Sequence, residues 1–189
     1  NKLGNLMVLN LLTLLCSLPL FTAGAAMTAL YACTQRLARK EEGDLIHSYF
    51  KAFRDNFRQA TVLWLTGGSI ILFLLFDIWL LRAVPGTFGL VYRCLLLVLV
   101  LLFLLELIYS FAVLARFDNT LKNTARNALL FCAGKIGPAF LMLVLTALPV
   151  ILFTISYRFF PVVVLLGLSG PAYLASIYFV SLFQAYEKG

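Results

Sequence analysis

Apolar residues run along this chain in long blocks separated by short polar connections. Four blocks reach the roughly 20 predominantly apolar residues that a membrane-spanning helix needs: residues 60–81, 88–115, 137–157 and 160–183. The first block, residues 3–34, is the odd one. As one straight helix it would measure about 48 Å, against a hydrocarbon core of about 30 Å. Broken at Pro19–Gly24, its first part is long enough to cross, but the apolar run after the break covers only about 18 Å. One crossing with a break is the favoured reading and gives five spans. A hairpin that returns to its starting side is the alternative. Lys2, the apolar run and the small residues "TAGAA" also imitate a signal peptide, but four later spans make a removable signal unnecessary for insertion.

The stretch "PLFTAG" (residues 19–24) predicts an ordered helix break. Pro19 cannot donate a backbone hydrogen bond, and its ring crowds the preceding turn. Thr22 is expected to accept from free N–H groups where a helix restarts at Ala23, and Gly24 and Ala25 leave room for a neighbour. A short repeat supports this geometry: "TAGAAMTA" (22–29) aligns with "LSGPAYLA" (168–175) as G-x-A-x-x-A. In the second copy Ser169 can cap a helix, with Gly170, Pro171 and Tyr173 in its first turns. In lipid a break must satisfy its backbone groups, so the two breaks are expected to face protein or a polar cavity, and to be neighbours. The alternative is a proline-kinked helix packed by small residues.

Composition strengthens the membrane reading. The chain is 62% hydrophobic and 12% charged, whereas soluble domains are about 45–50% apolar and about 25% charged. The fold class expected is all-α: one polytopic membrane helix bundle over residues 1–189. The net charge of +7 is concentrated in two connections. Arg36, Arg39, Lys40, Lys51, Arg54 and Arg58 follow the first span; Arg116, Lys122, Arg126 and Lys135 follow the third. The positive-inside rule places both in the cytoplasm, with the N-terminus outside under five spans. Attraction to anionic lipid accounts for such a face, so no nucleic-acid partner is expected. Both connections read as amphipathic helices. In the first, Ile46, Phe50, Phe53, Phe57 and Ala60 form the apolar side, and the helix runs on into the second span. In the second, Leu121, Ala125, Ala128 and Cys132 share a face, with Asp118 or Asn119 as N-cap.

Candidate chemistry is sparse. Asp77 and Arg93 lie eight residues before and after Pro85, at similar depth in an antiparallel hairpin, so they are expected to pair. Glu106 is deeper and has no base at its depth; a carboxyl there needs a hydrogen-bond partner, with Ser69 and Thr146 depth-matched. Cys16, Cys33, Cys94 and Cys132 are scattered, and His47 is the only histidine. No metal, cofactor or catalytic motif is expected.

The run "NLLTLLCSLPLFTAGAAMTALY" (10–31) resembles the opening signature of the YesL family of bacterial membrane proteins. "SYFKAFRDNFRQATVLW" (48–64) resembles that family's amphipathic segment through Phe50, Phe53, Asn56, Phe57, Gln59 and Ala60, and "RNALLF" (126–131) is a looser match. The resemblance implies no established activity. It implies association with carbohydrate importers of the ABC type, whose genes often neighbour those of the family. The expected function is therefore a non-enzymatic accessory membrane protein linked to carbohydrate uptake, with importer subunits as partners. The alternative is a small-solute transporter or channel with Thr22, Ser169, Tyr173 and Glu106 around a cavity at the broken first and last spans.

Overall fold

The computed structural model describes residues 1–41, 43–84, 86–117, 123–124, 126–128, 130, 136–155 and 160–187. Among them the ordered elements are helices: α1 (Lys2–Cys16), α2 (Ala23–Ala38), α3 (Leu45–Leu80), α4 (Gly86–Leu114), α5 (Ile136–Ile155), α6 (Phe160–Leu166) and α7 (Ser169–Glu187). Short 3-10 turns follow the first break (Leu20–Thr22) and α3 (Leu81–Ala83). α3 and α4 are each long and apolar enough to cross a membrane, and α6 with α7, bent by 44°, makes a third candidate.

The first apolar block is two helices. α1 stops at Cys16, Pro19 is extended at φ −75°, ψ 109°, and α2 starts at Ala23. The two helices reverse direction. Asn1, Lys2 and Asn5 at the start of α1 line the same cleft as Arg36, Leu37 and Lys40 at the end of α2. The block is therefore an antiparallel hairpin, not the single bent crossing favoured from length. Proline supplies the break, and long-range contacts described below supply the reversal.

α2 ends in a compact C-terminal turn. Lys40 takes a left-handed φ of 59°, which lets Lys40 N–H reach Leu37 O and Glu41 N–H reach Arg36 O, at 3.2 and 3.1 Å. These are the two bonds of a Schellman cap. Asp44 then caps α3, accepting from Ile46 N–H and His47 N–H. From there one 36-residue helix contains both the amphipathic segment and the span after it. Its buried side is rotated from the expected one: Tyr49 and Ala60 are buried, Phe53 and Phe57 half-buried, and Ile46 and Phe50 exposed.

The core lies where α1, α2, α7 and the C-terminal third of α4 meet. Leu9, Leu30, Tyr109, Val113, Phe179 and Phe183 are among its fully or nearly fully buried side chains. Phe179 receives edge-on contacts from Tyr31 and Tyr109. The alanines of both repeat copies are buried: Ala26 and Ala29 on α2, Ala172 and Ala175 on α7. Of the second amphipathic segment, Ala128 is buried; Asp118, Asn119, Leu121, Ala125 and Cys132 lie outside the described residues.

Candidate functional site: a stapled pair of helix breaks

A polar residue in a run such as "LMVLNLLTLLC" must find a hydrogen-bond partner when it is buried. Asn10, fully buried on α1, finds three. Its Oδ1 accepts from Leu168 N–H at 2.8 Å and Ser169 N–H at 2.9 Å, and its Nδ2 donates to Val164 O at 2.6 Å. Those groups are freed where α6 ends and α7 begins, because a helix start leaves N–H groups and a helix end leaves carbonyls unpaired. One side chain thus caps two helices from outside their own chain segment. Ser169 was the expected cap. Its hydroxyl is buried and bonds to nothing among the described residues, so it does not serve.

The first break is satisfied differently. Thr22 Oγ1 does not accept from N–H groups at the start of α2; it donates, towards Cys16 O at 2.5 Å and Pro19 O at 2.6 Å. A hydroxyl can act either way, and here the carbonyls left by the end of α1 are the needier groups. Trp64 Nε1 donates to Leu20 O at 2.8 Å from α3. The Thr22 bonds are part-buried and the Trp64 bond is exposed, and Leu18, Leu20 and Phe21 stand exposed beside them, so the break is satisfied by protein groups at the surface of the bundle and not within a cavity. Gly24 is required by the approach of α3: a Cβ there would lie 2.5 Å from Ala60 O and 2.6 Å from Trp64 Cβ.

Two further buried ties hold the hairpin. Thr34 and Ser176 share a hydroxyl–hydroxyl bond of 2.7 Å between α2 and α7, and Gln35 Nε2 donates to Ala112 O on α4 at 3.0 Å. Asn10, Thr34 and Gln35 were not among the expected site residues. The signal that could have found them is their polarity within otherwise apolar helices.

The remaining expected residues are dispersed. Asp77 and Arg93 do not form an ion pair; Arg93 Nε donates to Gly89 O on its own helix at 3.0 Å. Glu106 is half-buried on α4, while Thr146 donates to Met142 O and Ser69 is exposed, so neither bonds to it. Among the described residues Thr22, Ser169, Tyr173 and Glu106 line no common cavity. A groove of about 690 Å³ has an almost wholly apolar lining that includes Ser17 and Leu168, one residue from each break, with Tyr31, Trp64, Phe111 and Leu143. Tyr173 lines a separate apolar cleft of about 310 Å³ with Gly170, Pro171 and Pro149.

A polar cleft of about 380 Å³ lies at the open end of the hairpin, between Lys2, Asn5, Arg36, Lys40, Glu41 and Ser48. Glu41 bridges Arg36 and Arg39, and Arg36 also donates to Ser48 Oγ at 2.7 Å. The Arg39 hydrogen bond, followed by the charges of Arg39 and Arg36, holds the Glu41 carboxyl below its ordinary range against a smaller opposing effect of burial. Among the described residues no group of three or more His, Cys, Asp or Glu side chains could hold a metal ion.

No curated protein and no solved structure matches the chain. Residues 6–78, which contain most of α1, all of α2 and nearly all of α3, match the model of a family described as a protein of unknown function, DUF624.

Proposed function

We propose that this chain is a YesL-type accessory protein of the bacterial cytoplasmic membrane. In this reading it assembles with membrane subunits of an ABC-type carbohydrate importer and carries out no catalysis. The observation that carries the proposal is the length and sidedness of α3. Its 36 residues extend about 54 Å, so about 24 Å remains beyond a 30 Å hydrocarbon core. That excess corresponds to the amphipathic half. There His47, Phe50, Lys51, Arg54 and Asp55 form a shallow surface cleft, and Ile46 and Phe50 are about half exposed, 49% and 48%. An apolar ridge flanked by cations suits a protein partner with an acidic rim.

The membrane arrangement we propose has α3, α4, α5 and the bent α6–α7 pair as crossings. The α1–α2 hairpin re-enters from the basic, cytoplasmic side. The buried polar groups serve to fix this hairpin, which fits a scaffolding role better than a solute path. Affinity purification from the native host in a mild detergent tests the reading. Importer membrane subunits should co-purify, and Phe50→Ser with Arg54→Glu should reduce their recovery. Absence of every importer subunit, under conditions that keep other membrane complexes intact, would overturn it.

A further inference from the structure

The reversal of the α1–α2 hairpin gathers cations that are far apart in the sequence. Lys2 on α1, Arg36 and Lys40 at the end of α2, and Ser48 on α3 line one cleft of about 380 Å³. Small-ligand sites occupy about 300–1,000 Å³. Glu41 is the one acid among the described lining residues. A cleft walled mainly by one sign of charge focuses its field on an ion inside it.

The donors of this cleft are only partly spent. The side chains of Lys2, Asn5 and Lys40 have no hydrogen bond or ion pair among the described residues. Arg36 gives Nη1 to Ser48 Oγ and Nε to Glu41. Its Nη2 lies beside Gly43, where a Cβ would come within 3.2 Å of it. Glu41 already shows the chemistry that suits the place, since its carboxylate sits between Arg36 and Arg39 as an internal anion. That one carboxylate does not balance Arg36 and Arg39 together with Lys2 and Lys40. Leu37 and Leu45 add an apolar side to the same cleft.

We propose that this cleft binds a phosphate group. Phosphate has the charge and the acceptor oxygens to engage two ammonium groups and a guanidinium at once. Two sources supply it at a membrane surface: an anionic lipid headgroup and free phosphate. A lipid fits the apolar side, where Leu37 and Leu45 suit its glycerol and first methylenes. It also fits the proposed membrane arrangement, on which this preference between sources rests, because basic pockets between helices on the cytoplasmic side bind headgroups. His47, Phe50, Lys51 and Arg54 line a separate cleft, so the phosphate site and the proposed importer contact stand or fall separately.

Binding to the full-length protein in a neutral detergent, at constant ionic strength, provides the test. The probes are phosphatidylglycerol, phosphatidylcholine and inorganic phosphate. Native mass spectrometry counts bound lipid, and the thermal midpoint rises with any ligand that binds the folded state. Phosphatidylglycerol should bind more tightly than phosphatidylcholine, whose choline cancels the phosphate charge. Lys2→Gln with Lys40→Gln should weaken that binding about tenfold or more. Lys51→Gln with Arg54→Gln removes the same charge outside the cleft and should leave it unchanged. Glu41→Gln should tighten binding, because it releases Arg36 from its internal anion; a purely structural role for these residues predicts no such gain, so this variant decides the matter even if the lysine pair fails to fold. A midpoint rise with phosphatidylglycerol that inorganic phosphate does not reproduce supports the site and assigns it to lipid. An equal rise with inorganic phosphate supports it and assigns it to free phosphate. Equal losses in the two double variants, or a protein that answers neither to phosphatidylglycerol nor to phosphate, would overturn the site.

Discussion

Asn10 joins groups more than 150 positions away in the chain. Its three hydrogen bonds cap both sides of the α6–α7 break. Asn10→Leu keeps the branched shape but leaves two N–H groups and a carbonyl unpaired, where each orphaned buried group costs about 1–3 kcal/mol. A loss of about 2–4 kcal/mol is expected, since partial relaxation recovers some of the sum. Asn10→Asp keeps the acceptor but buries a carboxylate against the Val164 carbonyl, so its loss should be at least as large. Thermal unfolding in detergent measures both; a harmless Asn10→Leu would mean that the break satisfies itself. Lys40 offers the opposite sign. Its left-handed φ of 59° strains a residue with a Cβ by about 1–2 kcal/mol, so Lys40→Gly should raise stability by about 0.5–1 kcal/mol after its own entropic cost. A lowered midpoint would show that the lysine side chain contributes more than the strain removes. Glu41 beside it predicts a pH dependence. Its folded pKa is depressed, so its contribution is complete above the unfolded value of about 4.3 and is lost as the pH falls through the folded one. Glu41→Gln should flatten that part of an acid titration of the thermal midpoint, and an unchanged profile would remove these contacts from the stability of the fold.

Among elements, α2 and α3 pack closely at the start of α2, where Gly24 meets the backbone of Ala60. Adding a methyl at Gly24 puts carbon 2.5 Å from a carbonyl oxygen that cannot swing aside, so Gly24→Ala should cost about 1–3 kcal/mol as overpacking. Gly68, also on a helix, has nothing within 4 Å of a built Cβ. Gly68→Ala should be neutral or stabilising by up to about 1 kcal/mol, the helix-propensity difference. Equal effects at the two sites would refute close packing as the reason for Gly24. The contrast also marks what sequence can reveal. The break at Pro19 was legible because a missing N–H is a property of the residue itself, and the fusion of the amphipathic segment with its span followed from an uninterrupted helical pattern. The reversal between α1 and α2 was not legible, because length arithmetic treats a bend and a hairpin alike. The hairpin is held by Asn10, by Thr34 with Ser176 and by Gln35 with Ala112, pairs separated by 77 to 159 positions. The direction of the Thr22 bonds was hidden because a hydroxyl donates and accepts. The Asp77–Arg93 expectation considered depth without helix rotation; both residues are half-buried, and Arg93 Nε bonds within its own helix instead.

For the whole molecule, the hairpin changes the expected position of the N-terminus. A bent first crossing would leave Asn1 on the side opposite Lys40, whereas the structure places Asn1 and Lys2 in one cleft with Arg36 and Lys40. If the positive-inside rule fixes that cleft in the cytoplasm, Lys2 joins the basic face instead of opposing it, which suits the rule better than the five-span arrangement did. The two helices also fit as a re-entrant unit. At 15 and 16 residues each extends about 22–24 Å, short of a 30 Å core. The break would then lie within the membrane, where its backbone must be satisfied by protein; the bonds from Thr22 and Trp64 to Cys16 O, Pro19 O and Leu20 O meet that demand. Single-cysteine labelling in intact cells and inverted vesicles tests the arrangement, in a background with Cys16, Cys33, Cys94 and Cys132 replaced. Asn1→Cys and Lys40→Cys should react with a membrane-impermeant reagent only in inverted vesicles, and Thr87→Cys, near the tip of the α3–α4 arm, only in intact cells. Labelling of Asn1→Cys from outside while Lys40→Cys reacts from inside would restore the single bent crossing. It would also require the cleft shared by the two ends to be pulled apart across the bilayer.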